Sequence, residues 1–143
     1  MNKGGSSATI TKKDTVVSKK FRSKKQYDNE LMVYKKNLSY TPKLISSDDK
    51  NRVIKISYEC CKTLSQIPMK DRDKYYPKIK ELYNRFKRDT GYYHNDLWTH
   101  NVIVNEETGK IIFIDFANIV KTKNERNKKK AIVNFLKLIG INS

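Results

Sequence analysis

Cysteine, acidic side chains and long apolar runs are all scarce in this chain of 143 residues. The two cysteines, Cys60 and Cys61, are neighbours. Adjacent side chains of a strand point to opposite faces, so we expect no disulfide between them. No apolar run approaches the roughly 18 residues of a membrane-spanning helix, and no signal-peptide pattern is present. We therefore expect a soluble, intracellular protein with no membrane partner.

Acidic residues number 15 against 31 lysines and arginines, which gives a formal net charge of +16. Such a field attracts nucleic acid, acidic protein segments and nucleotide phosphates, but it is specific for none of them. The lysines occur together with abundant Asn, Ile and Tyr, a mixture that an AT-rich genome produces without selection for binding. Nucleic-acid binding is therefore compatible with the charge and is not required by it.

The spacing of apolar residues predicts one α+β domain over residues 1–143. Runs of β-branched and apolar residues predict strands at 8–11, 15–21, 43–46, 52–60, 102–104 and 111–116. Apolar residues three and four apart predict helices at 24–38 and 71–89, and the apolar positions from 132 to 139 predict a last helix. Gly91 follows the second of these segments, as expected just past a helix end. Strands and helices that are grouped by type favour an α+β arrangement over alternating βαβ units.

The loop 94–101, with the sequence HNDLWTHN, carries most of the groups that are suited to chemistry. Asp96 can accept a proton from a hydroxyl. Asn101 precedes an apolar hairpin and Asp115 follows it, so both can offer oxygens to Mg²⁺, which prefers hard oxygen ligands. An aspartate that ends an apolar strand is costly to bury without a partner, and a cation is the natural partner.

The same residues have simpler interpretations. Asp96 and Asn101 are both types that hydrogen-bond to the backbone of loops. His94 and His100 could be zinc ligands, although zinc sites need four ligands at short spacings and both cysteines are remote. We expect His94 to pack under the loop as a structural residue. The sequence leaves open whether Trp98 packs in the core or forms a platform for substrate.

His94, Asp96 and Asn101, followed by the motif Asp115-Phe116-Ala117, resemble the catalytic loop and metal-binding motif of the protein-kinase-like superfamily. The resemblance implies that Asp96 is the catalytic residue and that Asn101 and Asp115 hold Mg²⁺. It implies ATP as the phosphoryl donor.

The resemblance also implies a truncated two-lobed kinase-like fold. A small β-rich N-lobe would cover about residues 1–62, and an abbreviated helical C-lobe would cover about residues 63–143. ATP and Mg²⁺ would bind in the cleft between the lobes.

The N-terminal half offers the expected ATP-binding groups of that family. Lys19, in the strand VVSKKF, matches the family's strand lysine, and Glu30 matches the helix glutamate that pairs with it. Lys20 competes for the same role, but neighbours on a strand face opposite ways, and Lys19 is our choice.

Two further segments are matched to the family by their position in the chain. Gly4 and Gly5 would belong to an abbreviated loop that covers the phosphates, although the full glycine motif is missing. Glu59 and Cys61, in the segment YECCK, fall where the family's hinge meets the adenine ring through backbone hydrogen bonds.

The chain departs from regulated protein kinases at several positions. Asn95 stands where many have an arginine that binds a phosphorylated activation loop, so we expect no switch of that kind. Trp98 stands where Ser/Thr kinases commonly have lysine, a feature similar to small-molecule kinases of the aminoglycoside type. Few residues follow Ala117, so the helices that bind peptide substrate are expected to be mostly absent. The chain resembles the trimmed kinases of large DNA viruses and small atypical kinases.

The resemblance implies first a minimal, ATP- and Mg²⁺-dependent serine/threonine protein kinase. Its acceptor would be a protein, with an acidic one favoured by the charge of the chain, and a protein partner would activate it or present its substrate. One alternative is a small-molecule kinase of the aminoglycoside or sugar-amine type. Another is a non-catalytic pseudokinase or polyanion-binding module.

Overall fold

The computed structural model of the chain describes residues 8–139, without the side chain of residue 127. Gly4 and Gly5, which we matched to a phosphate-covering loop, lie outside the described residues. The strands are β1 (Ala8–Lys13), β2 (Val16–Phe21), β3 (Leu44–Asp48), β4 (Val53–Ser57), β5 (Lys62–Thr63), β6 (Tyr92–Tyr93), β7 (Val102–Val104), β8 (Ile111–Phe113) and β9 (Val120–Lys121). The α-helices are α1 (Lys24–Lys35), α2 (Tyr76–Thr90) and α3 (Glu125–Leu138).

The N-terminal part is a four-stranded antiparallel sheet in the order β1-β2-β4-β3. Asp14 makes the tight turn between β1 and β2 with φ of 56°, a left-handed conformation that aspartate tolerates better than most residues. β2 is an inner strand, because β1 pairs with one edge of it and β4 with the other. Lys19 lies opposite Ile10 on one side and Ile54 on the other, and thus projects from the middle of the sheet.

Helix α1 packs against this sheet through one buried face. Ser23 caps its N-terminus, where the side-chain oxygen accepts a hydrogen bond from the backbone N–H of Gln26 at 3.3 Å. The buried residues are Tyr27, Glu30, Leu31, Val33 and Tyr34. Glu30 is the one charged group among them, and the helix therefore carries a carboxylate into the interior.

Helix α2 begins later than the predicted segment 71–89. Short 3-10 turns precede it, and its first residue is Tyr76, immediately before Pro77. Proline has no N–H to donate and is tolerated only in the first turn of a helix, which explains the later start. The predicted apolar stripe is confirmed, since Ile79, Leu82, Tyr83 and Phe86 are all buried.

Strands β5, β7 and β8 form a second sheet in the order β5-β7-β8, and β6 pairs with β9. The predicted hairpin 102–104/111–116 is confirmed, although β8 ends at Phe113. Val102 lies opposite Phe113, and the N–H of Ile114 donates to the carbonyl of Asn101 at 3.0 Å. Asn101 and Asp115 are therefore next to the same end of this hairpin.

Aromatic rings from the N-terminal sheet region and from the segments after residue 76 pack into one core. Phe116 makes an edge contact with Tyr34 of α1, with the ring centroids 5.6 Å apart, and stacks on Phe86 of α2 at 5.5 Å. Phe113 makes an edge contact with Tyr40 at 6.0 Å. Rings of this kind bury a large apolar area, and their edge and offset contacts add to the stability.

Cys60 and Cys61 form a disulfide in the structure, so the expectation that they would stay apart was wrong. That expectation assumed a strand over 52–60, whereas β4 ends at Ser57. Cys61 has φ of 99°, in the left-handed region. The alternation of faces in a strand therefore does not apply to this pair.

The elements confirm the predicted α+β class, with a β-rich N-terminal region. Helix α1 packs against the four-stranded sheet, and α2 and α3 contact the β6–β9 pair. The division of the chain near residue 62, where β5 begins, stays a prediction. Over residues 8–139, no helix is both long and apolar enough to cross a membrane.

Gly91 should be the most sensitive glycine in the described fold, because it ends α2 with φ of 76° while its N–H donates to Lys87 O at 2.9 Å. No atom lies within 4 Å of the position of an added Cβ, so the cost of substitution is conformational and not steric. Gly91→Ala should lower the free energy of unfolding by about 1–2 kcal/mol.

Urea denaturation followed by circular dichroism measures this change. Gly91→Asn is the matched control and should cost less, because asparagine adopts the left-handed conformation more readily than alanine. An alanine variant as stable as the natural protein would show that the left-handed end is not required.

Candidate functional site

A buried ion pair joins the sheet to helix α1. The ammonium of Lys19 donates a hydrogen bond to Glu30 Oε2, and both side chains are almost wholly inaccessible to solvent. Lys20, the competing residue, is exposed on the other face of β2. The structure thus brings together the two residues that the sequence proposed as partners.

The Glu30 carboxylate has two further partners. The phenol of Tyr34 donates to Oε2 at 2.7 Å, and the backbone N–H of Phe116 donates to Oε1 at 2.9 Å. Burial, reinforced by the neighbouring Glu30 charge, raises the pKa of Tyr34 well above its ordinary value of 10.0, so the phenol remains a donor. A buried carboxylate needs this degree of compensation to stay charged.

Lys19, Asn101 and Asp115 all line one cavity of about 580 Å³. Most of its remaining wall is apolar, and includes Ala8, Ile10, Val17, Ile56, Ile103 and Ile114. A cavity with mostly apolar walls and a few polar groups is typical of a small-molecule or cofactor site.

Of the two hinge residues proposed from the sequence, only Glu59 lines this cavity. Its carboxylate accepts a hydrogen bond from Ser57 Oγ at 2.7 Å. Cys61 is not among the lining residues. The chain turns there with φ of 99° and continues into β5, and the proposed backbone contact of Cys61 with the adenine ring stays a prediction.

His94 anchors the loop from underneath. Its Nδ1 accepts the backbone N–H of Asp96 at 3.2 Å, so Nε2 carries the proton and donates to the carbonyl of Ile114 at 2.8 Å. Its ring packs against Phe86, Phe113 and Phe116. Burial lowers the pKa of His94 below its ordinary value of 6.5, which keeps the ring neutral. His94 is therefore a structural residue, as expected.

Asn101 closes the loop at its other end. Its Nδ2 donates to the carbonyl of Asp96 at 2.7 Å, and its backbone N–H donates to Trp98 O at 2.9 Å. Because the loop uses the amide nitrogen, Oδ1 is the atom of this side chain that could bind a cation.

Asp115 adopts a left-handed conformation with φ of 69° and lines the same cavity as Asn101. The amide oxygen of Asn101 and the carboxylate of Asp115 form a donor set that fits Mg²⁺, which completes its shell with water and phosphate oxygens.

The zinc alternative has no support. Both ring nitrogens of His94 bond to the backbone, and no group of three or more His, Cys, Asp or Glu among the described residues could hold a metal ion.

Asp96 is not among the residues that line the cavity of Asp115. It lines a second cavity of about 660 Å³, together with Asn95, Trp98 and residues of α1 and α3. Asn118 Nδ2 contacts Asp96 Oδ2 at 3.5 Å, and Gln26 of α1 donates to Asn118 Oδ1 at 3.1 Å.

Several of these supporting residues were missed at the level of sequence. Asn118 and Gln26 hold Asp96, and Asn29 Nδ2 donates to the carbonyl of Ala117 at 2.9 Å. Gln26 and Asn29 are three residues apart on α1 and therefore share a face of the helix, close to Glu30. This spacing is the one feature of the sequence that could have indicated their role. Their partners lie about 90 residues away in the chain and could not be read from spacing.

The similarity of the chain to known proteins agrees with this geometry. A family model of the RIO domain matches residues 52–132, which is more than half of the chain. The chain belongs to the RIO domain family. RIO domains are an atypical family of protein kinases, so the predicted membership in the protein-kinase-like superfamily is confirmed. No curated protein sequence matches the chain.

Two solved structures share the fold of this RIO domain. Rio2 kinase from Chaetomium thermophilum, in an ADP/Mg²⁺-phosphoaspartate complex, matches with a TM-score of 0.71 at 14% identity, over 93% of this chain and 54% of that one. WbdD, crystallised with the kinase inhibitor LY294002, matches with a TM-score of 0.70 at 17% identity, over 96% of this chain and 37% of that one. The predicted kinase-like fold is confirmed. The chain spans about half of the Rio2 chain and little more than a third of the WbdD chain.

Removing Lys19 should destabilise the protein, because Glu30 would keep a buried charge without its cation. We expect Lys19→Met to lower the free energy of unfolding by about 3–5 kcal/mol, the usual cost of breaking a buried ion pair. The double variant Lys19→Met/Glu30→Gln should recover most of that loss, since no charge is then buried.

Urea denaturation of each variant gives the comparison. Lys20→Met is the matched control, because Lys20 is exposed on the same strand, and it should change stability by less than about 0.5 kcal/mol. Equal effects of the two lysine variants would contradict a buried, paired Lys19.

His94 should make the fold sensitive to acid. The unfolded chain takes up a proton on His94 as the pH falls past its ordinary pKa of 6.5, whereas the folded state, with its lowered pKa, does not. Neutral His94 therefore costs the folded state nothing above pH 6.5. The free energy of unfolding decreases as the pH falls from 6.5 toward the lower pKa of the folded state.

The measurement is the free energy of unfolding between about pH 7.5 and pH 5. His94→Gln, which keeps a donor and an acceptor but cannot ionise, should lose less stability over this range than the natural protein. His100→Gln alters an exposed residue and should retain the natural pH dependence. An unchanged pH dependence in His94→Gln would refute this role.

Proposed function

We propose that this RIO domain protein transfers the γ-phosphoryl group of ATP to a hydroxyl of a protein serine or threonine. The observation that carries the proposal is the convergence of Lys19, Asn101 and Asp115 on one apolar cavity, with Glu30 buried behind Lys19. Membership in a family of atypical protein kinases supports the reaction type.

The apolar part of this cavity suits an adenine ring, and its polar end suits the phosphates. Lys19 would bind phosphate oxygens of ATP while Glu30 holds the ammonium in place. Glu59, beside the apolar wall, marks the segment whose backbone would meet the adenine edge.

Asn101 Oδ1 and the Asp115 carboxylate would hold Mg²⁺ at the polar end of the cavity. The ion, when bound, neutralises charge on the phosphates. Asn101 also fixes the loop through its bond to Asp96 O, so one residue links the metal position to the position of Asp96.

Asp96 would accept or orient the proton of the acceptor hydroxyl. Its contact with Asn118 and the bond between its N–H and His94 restrict where it points. Little covalent chemistry is required of the protein in phosphoryl transfer, so positioning and charge neutralisation supply most of the rate.

A small-molecule acceptor is the second candidate. Trp98 is 38% exposed and lies beside Asp96, where an aromatic face could bind a flat or sugar-like acceptor. Transfer to an aminoglycoside, but not to any protein or peptide, would favour this alternative.

The related Rio2 structure contains a phosphoaspartate, so the chemical nature of any phosphate added to this protein matters. Hydroxylamine cleaves an acyl phosphate but leaves phosphoserine and phosphothreonine intact. Labelled protein should therefore be treated with hydroxylamine before an acceptor residue is assigned.

Asp96→Asn and Asp115→Asn should each reduce phosphoryl transfer from labelled ATP by at least about 100-fold, because one removes the proton acceptor and the other a metal ligand. The two variants should differ in binding. Asp96→Asn should keep the thermal shift that ATP and Mg²⁺ produce, whereas Asp115→Asn should lose most of it.

Asp71→Asn changes an exposed carboxylate far from both cavities and is the matched control, with activity close to the natural level. Near-full transfer by either site variant would overturn the assignment. The absence of both transfer and a thermal shift in the natural protein would support a non-catalytic, polyanion-binding role instead.

A further inference from the structure

The cavity that Asp96 lines shares no residue with the one that Lys19, Asn101 and Asp115 line, but the loop 94–101 contributes to both, and Asn101 of the first bonds to the backbone of Asp96 in the second. His100 and Asn101 belong to the first cavity, while residues 95, 96 and 98 belong to the second. The second cavity is therefore the one whose lining offers an acceptor hydroxyl direct access to Asp96.

Nearly all the charged groups around this second cavity are positive. Lys25 of α1 and Lys130 of α3 both line it. An adjoining cavity of about 420 Å³ shares Lys25 and adds Lys121 and Lys123. Asp96 is the one carboxylate among the residues that line the two cavities.

These four lysines are available to a ligand. All four are exposed, and none is within ion-pair distance of a carboxylate in the part of the chain that the structure describes. Four cations around two connected cavities repel a basic segment and attract an acidic one.

Membership in a family of atypical protein kinases favours a peptide acceptor over a nucleic acid. The uncharged lining is compatible with a peptide, because it includes the amide side chains of Asn95 and Asn134. An amide both donates and accepts hydrogen bonds, as the peptide group does. Trp98 supplies an exposed apolar face for a neighbouring side chain.

We propose that the second cavity is the acceptor site and that it binds a peptide whose serine or threonine is flanked by acidic residues. The acceptor hydroxyl would lie at Asp96, and the flanking carboxylates would lie near Lys25 and Lys130, with Lys121 and Lys123 beyond them. The hydroxyl oxygen forms the new bond to phosphorus as the bond to ADP breaks, and the proton goes to Asp96. This inference rests on the proposed phosphotransferase function.

Trp98 gives a direct test of binding, because it is the only tryptophan in the chain. A serine peptide with aspartates and glutamates on both sides should change the tryptophan emission. The same peptide with lysines in place of the acidic residues should not. The binding of the acidic peptide should weaken with salt, since exposed charges are screened.

Transfer from ATP to the same two peptides tests the site itself. Lys25→Glu and Lys130→Glu should each lower kcat/KM for the acidic peptide by about tenfold or more, through a higher KM, with kcat and the KM for ATP nearly unchanged. Lys80→Glu makes the same change of charge on the exposed surface of α2, outside both cavities, and should have little effect.

The outcomes separate this inference from the proposed function. The inference is supported if the protein prefers the acidic peptide, and if Lys25→Glu and Lys130→Glu reduce that preference while Lys80→Glu does not. Transfer without acidic preference, equal effects of the three variants, or a change in tryptophan emission with an oligoribonucleotide and not with the peptide overturns it. Absence of transfer to any acceptor, with no thermal shift in ATP and Mg²⁺, overturns the proposed function as well.

Discussion

The carboxylate of Glu30 is the group on which the geometry of the cavity lined by Lys19, Asn101 and Asp115 depends. It is wholly buried, and an uncompensated charge there would cost several kilocalories per mole. Its partners come from three segments that are remote in sequence: Lys19 on β2, Tyr34 on α1 and the backbone of Phe116 after β8. All three segments are held by this one carboxylate. The sheet, the helix and the turn at Asp115 and Phe116 therefore cannot move independently without leaving a buried charge unpaired.

Beneath this ionic centre, an aromatic layer holds the loop that carries Asp96. Phe86, Phe113 and Phe116 surround the ring of His94, whose two nitrogens bond to the backbone of the loop and of the strand end. The neutral form of His94 is required, because only then can one nitrogen accept while the other donates. The position of Asp96 therefore depends on buried aromatic packing around His94, which itself contributes no reactive group.

Local patterns in the sequence identified most of the fold, because apolar periodicity directly reports which face of an element is buried. The start of α2 was predicted at residue 71, but the helix begins at Tyr76. Pro77 must lie in the first turn of the helix, and the apolar periodicity does not report this limit. The pairing of Lys19 with Glu30 follows from family resemblance and from strand alternation. The Cys60–Cys61 bond and the amide contacts of Asn118 could not be inferred, because they depend on where irregular segments turn and on partners distant in sequence.

Helix α1 also makes a second set of contacts, and these connect its position to the surroundings of Asp96. Through Gln26 and Asn29 it holds Asn118 and the carbonyl of Ala117, next to Asp96, while Glu30 on the same helix holds Lys19 and the backbone of Phe116. A small rotation of α1 about its axis would disturb both sets of contacts together. In the proposed reaction, one movement of this helix would therefore shift the groups that bind ATP and those that surround Asp96 at the same time.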